Sequence, residues 1–288
     1  MNYRFKNILG TFVLNESLTV ISAKDDSKAQ DLPKEKVSQA LALFKDPKYY
    51  QTFYEENLKL TQLAIKNSVT EDQLIMQTIS NIIELDKVGN LLVKRLREWY
   101  SLYFPELSEL NESHERFLEL TDKPKSALLK ELKVSETMGA DLEQVHVEEI
   151  KLLAQQIKNL NELRNHHESY LSEIMQKYCP NILELAGVTI GAKLIELAKG
   201  LKHLALLPAS TVQLLGAEKA LFRHIKTGSR SPKHGIIINH PLVQTAGGRK
   251  GKAARMLADK LSLCARLDYF KGELKAKEYR KELEEALK

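Results

Sequence analysis

Cysteine is nearly absent: 288 residues hold two, Cys179 and Cys264, far apart in the chain. That excludes a disulfide framework and points to reduced thiols in an intracellular protein. The histidines, His166-His167 among them, lack cysteine or carboxylate neighbours at metal-ligand spacing. There is no long apolar run and no basic-then-apolar leader, which argues against export and against a membrane. No G-x-G-x-x-G follows a strand, so a cofactor-binding methyltransferase fold is not supported. Gly247–Lys252 resembles a phosphate loop only superficially. Ala246 stands where that loop needs glycine, and Ala253 where it needs Ser or Thr. No nucleophile with a paired base can be named. The expectation is a protein that is not an enzyme and holds neither metal nor cofactor.

Negative charge is scarce in one region. From Lys199 to Arg266 thirteen cations face only Glu218 and Asp259, a net of +11 in a chain that totals +5, leaving −6 for the remainder. Such asymmetry argues for a polyanionic partner on one domain.

With 43% apolar and 28% charged residues, the chain suits two or three soluble domains. Residues 1–24 alternate apolar and polar: Ile8, Leu9, Phe12, Val13 and Leu14, then Leu18, Val20 and Ile21. Asn15-Glu16-Ser17 can turn between them, which predicts a β-hairpin. Short helices broken at Pro33 and Pro47 should follow. Tyr49, Tyr50, Phe53 and Tyr54 are expected to pack in the core. Thr70 and Gln73 have capping-box spacing ahead of a long helix with Ile82, Leu85, Gly89, Leu92, Leu96, Trp99 and Tyr103 in a 3,4 seam. Residues 111–138 read as shorter helices and loops. A second long helix, from about Gly139 to Tyr178, has the seam Ile150, Leu153, Ile157, Leu160, Arg164, His167, Leu171, Ile174 and Tyr178. The two seams suit an antiparallel pair within one chain. The fold class is therefore mainly α. It comprises a small N-terminal α/β domain (1–81), a central antiparallel coiled coil (82–180), a C-terminal all-α domain (181–271) and a charged tail (272–288).

The organising stretch is Pro208–Arg230. Ser210 and Gln213 have capping-box spacing, Gly216 can split the helix, and Gly228 suits a left-handed C-cap. Ala217, Leu221 and Ile225 share a face expected to pack inward. Lys219, Arg223 and Lys226 share a face for a partner. A basic loop, Ser231–Gly235, and Gly247–Lys252 follow.

GAEKALFRHIKTG (Gly216–Gly228), with PASTVQLL before it and SPKHG and GRKGKAARMLADKLSLCARLDYF after it, resembles the Nop domain. More closely, the chain resembles the archaeal Nop core protein of box C/D guide-RNA ribonucleoproteins. WYSLYFPEL (Trp99–Leu107), TMGADLEQVHVEEIKLLAQQI (Thr137–Ile157) and Leu185–Leu197 extend it over roughly Leu85 to Gly272; the first eighty or so residues match only in layout. The resemblance implies a cytoplasmic, non-catalytic scaffold for 2′-O-methylation of rRNA or tRNA. Its partners would be a box C/D guide RNA, a ribosomal-type kink-turn-binding protein, a fibrillarin-like methyltransferase and a second copy of the chain. S-adenosylmethionine would belong to the methyltransferase. A splicing-type Nop protein, bridging RNA and a kink-turn binder without an enzyme, stays open as the alternative. The implied RNA-binding residues are Gln213, Lys219, Arg223, Lys226, Arg230, Lys233, His234, Arg249, Lys250, Lys252 and Arg255. Gly216, Ala217 and Glu218 would face the kink-turn protein. Ile150, Leu153, Ile157, Leu160, Leu171 and Ile174 would join the two copies.

Overall fold

The computed structural model describes residues 2–22, 29–110 and 113–287. Met1, Ala23 and Lys24 of the expected hairpin, Asn111 of the polar segment and Lys288 of the tail lie outside the described residues. The protein is mainly α with a small four-stranded sheet at its N-terminus, and it divides into two compact units, Met1–Thr70 and Glu71–Lys288. No helix among the described residues is long and apolar enough to cross a membrane.

In the first unit, β1 (Tyr3–Asn7), β2 (Gly10–Leu14), β3 (Val20–Ser22) and β4 (Gln30–Asp31) form a sheet of order β3-β2-β1-β4. Asn15 turns β2 into β3 as expected; its side-chain carbonyl accepts from the Thr19 amide at 2.8 Å. Ile8 and Leu9, assigned to a strand by their alternation, instead form the turn between β1 and β2, because an additional strand precedes them. α1 (Val37–Leu43) lays Ala40 against Phe5 and Leu14. α2 (Tyr50–Lys66) corrects the aromatic expectation. Only Tyr49, just before it, packs on Phe12 and Phe44; Tyr50 is 69% exposed, and Phe53 and Tyr54 are also exposed. On the sheet Phe44 already packs on Phe5 and Phe12, at ring-centroid distances of 5.8 and 4.7 Å.

The second unit begins with α3 (Glu71–Tyr100), so the unit boundary falls at Thr70 rather than at 81; residues 71–81 are the first turns of that helix. α4 (Pro105–Leu110), α5 (His114–Leu120) and α6 (Lys125–Leu132) lead to α7 (Gln144–Tyr178), which pairs with α3. α7 starts later than the spacing predicts. Gly139 sits against the Tyr103 carbonyl, where a Cβ would lie 2.1 Å from the oxygen, and the Ala140 amide donates to Leu102 O. The seam of α3 also shifts: Val93 and Tyr100 are buried, and Trp99 is exposed. Ile150, Ile157 and Leu171 are fully buried inside this chain's own helical hairpin, which corrects their assignment to a contact between copies. Leu153, Leu160 and Ile174 are half-buried. The hairpin has a polar waist between its two apolar clusters. There Arg164 Nε donates to Asp86 at 3.1 Å, and the Asn81 amide donates to His167 Nε2 at 3.1 Å.

Pro180 ends the hairpin. α8 (Pro180–Ala186), α9 (Val188–Ala198), α10 (Leu201–Leu206), α11 (Ala209–Leu214), α12 (Glu218–Thr227) and α13 (Pro241–Gln244) precede α14 (Lys250–Tyr269) and α15 (Ala276–Leu287). α8, α10, α11, α13 and α15 all pack on α14. Gly191 permits the tight stacking of α9, since a Cβ there would lie 2.9 Å from both Met175 and Ile182. The charged tail belongs to this core: Ala276 and Leu283 are buried in it. Both cysteines are buried, and burial pushes the Cys264 thiol up to about 12.

A buried polar cluster joins three helix ends. The Asp268 carboxylate accepts from the Asn181 amide at 3.0 Å, the Asn181 side chain at 2.9 Å and the Ile182 amide at 2.9 Å. In turn, Asn181 Oδ1 accepts from the amides of Lys275 and Ala276 at 2.8 and 3.1 Å. Two amides that open α8 and two that open α15 thus find acceptors. Asp268→Ala should cost about 3 kcal/mol, because it leaves the Asn181 and Ile182 amides without acceptors and the Asn181 side chain with Glu273 O alone. Chemical denaturation checks this, and an unchanged midpoint refutes the role.

His240 is buried beside Leu185. Its Nε2–H donates to Leu185 O at 2.9 Å, and its Nδ1 accepts from the Leu242 amide at 3.3 Å, capping α13. Burial lowers its pKa, opposed by the Leu185 hydrogen bond and assisted by Arg280. A folded pKa below the unfolded value means stability present above about pH 6.5 and lost as pH falls through the folded pKa. Melting curves from pH 7.5 to 5 should therefore drop more for the natural chain than for His240→Gln. Parallel pH profiles would rule His240 out as the cause.

Candidate nucleic-acid interface

The basic residues cluster on an excursion from the helical core. α11 ends at Leu214, and after Leu215 the chain turns at Gly216 with φ +86°. The Glu218 carboxylate accepts from the Gly216 amide at 2.7 Å and holds that turn. α12 follows and stops at Gly228, whose φ of +67° is the left-handed cap expected from the sequence. After the loop to His234 the chain returns to its starting point. The Gly235 amide donates to Gln213 O and the Ile236 amide to Leu215 O, each at 2.7 Å. The Gln213 side chain donates to Lys233 O at 2.6 Å. Ile237 then buries fully in a short 3-10 turn.

Three expectations change here. Ser210 and Gln213 do not form a capping box; Pro208 stands at the N-cap of α11 and the Gln213 amide crosses to the loop instead. The face of Ala217, Leu221 and Ile225 does not pack inward. Residues 217–234 contain no buried position, Phe222 is 69% exposed and Ile225 is 71% exposed. The excursion is closed at its base, so α12 never reaches the core. Third, Arg249 is engaged, donating to Leu287 O at the end of α15 at 2.8 Å.

The other cations are exposed. Among the described residues Lys219, Arg223, Lys226, Arg230, Lys233, Lys250, Lys252 and Arg255 have no ion-pair partner. Lys219, Arg223 and Lys226 share the outward face of α12. Lys233 lies over Gly251 at the start of α14, where a Cβ would be 3.7 Å from its Cδ. That contact brings the loop to the turn that carries Lys250 and Lys252. His234 is half-buried beside it. Gly216 is exposed, and a Cβ there would make ordinary contact, 3.4 Å from both Ile236 and Leu197. Glu218 is exposed as well, and Ala217 is half-buried. No group of His, Cys, Asp and Glu among the described residues could hold a metal ion. The array offers cations and amide donors at a water-facing surface, which suits binding of a polyanion.

Gly235 closes the base of the excursion. A Cβ there would lie 1.9 Å from Leu215 O, a backbone atom fixed by the two hydrogen bonds beside it. Gly235→Ala should open this closure and cost about 2 kcal/mol or more, the scale of local backbone strain. Gly228→Ala meets nothing within 4 Å and should cost only about 1 kcal/mol for its left-handed φ. Thermal melts of the two variants, with hydrogen exchange on residues 213–236, test this ranking. Equal losses would contradict it.

Comparison with known proteins gives the family of the chain. Residues 81–288 match the family described as Nop: snoRNA binding domain, fibrillarin. An uncharacterised NOP5 family protein of Methanocaldococcus jannaschii is 44% identical over 254 residues, 81% of this chain and 61% of that protein. Nucleolar protein 56 of Dictyostelium discoideum is 38% identical over 228 residues, 72% of this chain and 42% of its own. Nucleolar protein 58 of Botryotinia fuckeliana is 40% identical over 217 residues, 68% of this chain and 38% of its own. A solved chain from a fibrillarin/Nop5p complex aligns over 98% of this chain and 99% of that one, at 26% identity and a TM-score of 0.49. The chain thus spans 61% of the first relative and about two fifths of the other two. With the family match extending from the α3–α7 hairpin through α15, the chain belongs to the Nop family.

Proposed function

We propose that this protein is the non-catalytic scaffold of a box C/D guide-RNA ribonucleoprotein that directs 2′-O-methylation of rRNA or tRNA. It would bridge the guide RNA, a ribosomal-type kink-turn-binding protein and a fibrillarin-like methyltransferase. The observation that carries this is the outward array of ion-pair-free cations on α12, its loop and the start of α14. Cations without intramolecular partners lose no salt bridge when they meet phosphate, and each contact releases counterions from the RNA. Family membership and the names of the relatives support the same partner class. The turn at Gly216, Ala217 and Glu218 is the proposed contact with the kink-turn protein.

The N-terminal unit is the proposed dock for the methyltransferase. The apolar face that α2 leaves exposed, with Tyr50, Phe53, Tyr54 and Leu58, supports this. Two copies are proposed to meet along the α3–α7 hairpin. Since Ile150, Ile157 and Leu171 are buried within one chain, the contact would fall to outward residues such as Leu91, Leu152 and Leu163. Holding S-adenosylmethionine is assigned to the partner enzyme, and the particle would work in the cytoplasm of an archaeal cell.

Arg223→Ala should weaken assembly on a guide RNA and lower the log–log salt slope by about 0.7 to 0.9, with helix content unchanged. Filter binding across salt concentrations measures both, and unchanged affinity with an unchanged slope overturns the assignment. Removal of residues 1–70 should leave RNA assembly intact and abolish recruitment of a fibrillarin-like enzyme. Methyl transfer by the purified chain alone, or recruitment by the shortened chain, would defeat the scaffold account.

A further inference from the structure

A groove of about 540 Å³ runs between α11 and α14, lined by Ala209, Ser210, Gln213, Arg255, Met256 and Asp259. It shares a wall with the basic loop, since Gln213 both lines it and donates to Lys233 O. We propose that this groove seats one unstacked nucleobase of the bound RNA, gripped by its hydrogen-bonding edge. The inference rests on the RNA-binding reading above and adds to it a site for a base.

The chemistry of the walls selects the occupant. A phosphate site presents cations and N–H donors alone, and the Asp259 carboxylate would repel a phosphate here. An apolar side chain could cover the apolar part of the walls but would leave Ser210, Gln213 and Asp259 without partners. A base needs a soft apolar face for its ring and a mixture of donors and acceptors for its edge. Met256, half-buried, offers a polarisable thioether for the ring. Ser210 can donate or accept. Gln213 spends one amide N–H on Lys233 O, which leaves its carbonyl oxygen for the ligand. Asp259 only accepts, so it favours a base with adjacent N–H donors. Guanine presents two, at N1 and N2, to a single carboxylate. Arg255 is exposed and has no ion-pair partner among the described residues, not even Asp259 one turn away. It is placed to hold the phosphate of the same nucleotide while the base enters.

This arrangement makes a prediction that plain electrostatics reverses. Asp259 is an anion on a basic surface, so if the face acts only through charge, Asp259→Asn tightens RNA binding. If the groove reads a base, Asp259→Asn weakens it. The probe is a transcribed guide RNA with a kink-turn, titrated into the full chain with and without the ribosomal-type kink-turn protein. Asp259→Asn should weaken binding about tenfold, the scale of one lost base-edge pair, with the salt slope unchanged. Arg255→Ala should lower both affinity and slope. Inosine, which lacks the N2 amine, is then substituted for guanine at random positions. One unpaired position should interfere with binding by the natural chain and cease to interfere with Asp259→Asn. Asp259 is exposed, so circular dichroism serves to show that the variant keeps its fold. Tighter or equal binding by Asp259→Asn, or an inosine pattern identical for both proteins, overturns the groove while Arg223→Ala still reports on the RNA-binding face. A natural chain that binds no RNA in either mixture overturns the RNA-binding reading and the groove with it.

Discussion

The buried Asn181–Asp268 pair sets the geometry on which the C-terminal unit depends. Asn181 opens α8, directly after the long hairpin ends at Tyr178. Asp268 lies in the last turn of α14, and the backbone that the Asn181 carbonyl accepts from begins α15. Burial raises the Asp268 pKa, against the pull of the hydrogen bonds donated to it. The carboxylate is therefore tolerable only while all its donors stay in place, a demand that ties three helix ends to one position. α14 transmits that position. It is 20 residues long, so it spans about 30 Å, and its far end carries Lys250, Lys252 and Arg255. Fixing one end of this helix aims the cations at the other.

Local punctuation was legible from the amino acids, while the direction of packing was not. Gly216 and Gly228 break the helical pattern because the chain needs positive φ at both. Pro105 and Pro180 stand at the first positions of α4 and α8, where the missing N–H is not needed. The two 3,4 seams correctly imply that α3 and α7 pair within one chain. By contrast, Ile225 on α12 and Phe53 on α2 look like core residues. Amphipathic spacing says that a face is apolar; it does not say whether this chain or another molecule covers it. Gln213 shows the same limit for polar groups. Its spacing from Ser210 suits a cap, yet its partner is Lys233, twenty residues away, and that contact exists only once Gly235 has returned to Leu215. The charge excess from Lys199 to Arg266 was legible as a sum, but not the division within it. Arg249 is engaged at the end of α15 and Lys260 pairs with Glu282 at 2.5 Å, whereas the α12 cations face water.

That division follows the two parts of the second unit. In the hairpin and its flanking helices, cations meet carboxylates: Arg95 with Glu98, Arg116 with Glu119 and Glu131, Lys158 with Asp122. Exposed pairs of this kind contribute little stability, but they neutralise the surface. On the excursion, the single carboxylate of Glu218 is turned back to the Gly216 amide instead of meeting a cation. Repulsion among these cations is accepted in the free protein and is relieved when a polyanion arrives, so the free energy of association gains what the folded chain forgoes.

The excursion can carry this charge because the core does not depend on it. Residues 217–234 contribute no buried side chain, and hydrogen bonds at Gln213, Leu215, Gly235 and Ile236 close the core beneath them. Substitutions on its surface should therefore alter binding with little effect on the fold, whereas a Cβ at Gly235 acts on the fold first. Few buried contacts also mean low local stability, so α12 can adjust to its partner on a base that stays fixed. Exposed Phe222 and Ile225 lie on this adjustable helix together with Lys219, Arg223 and Lys226. A surface that is apolar and cationic at once matches neither bare phosphate nor a purely apolar protein face. It fits the joint of protein and RNA proposed for this face.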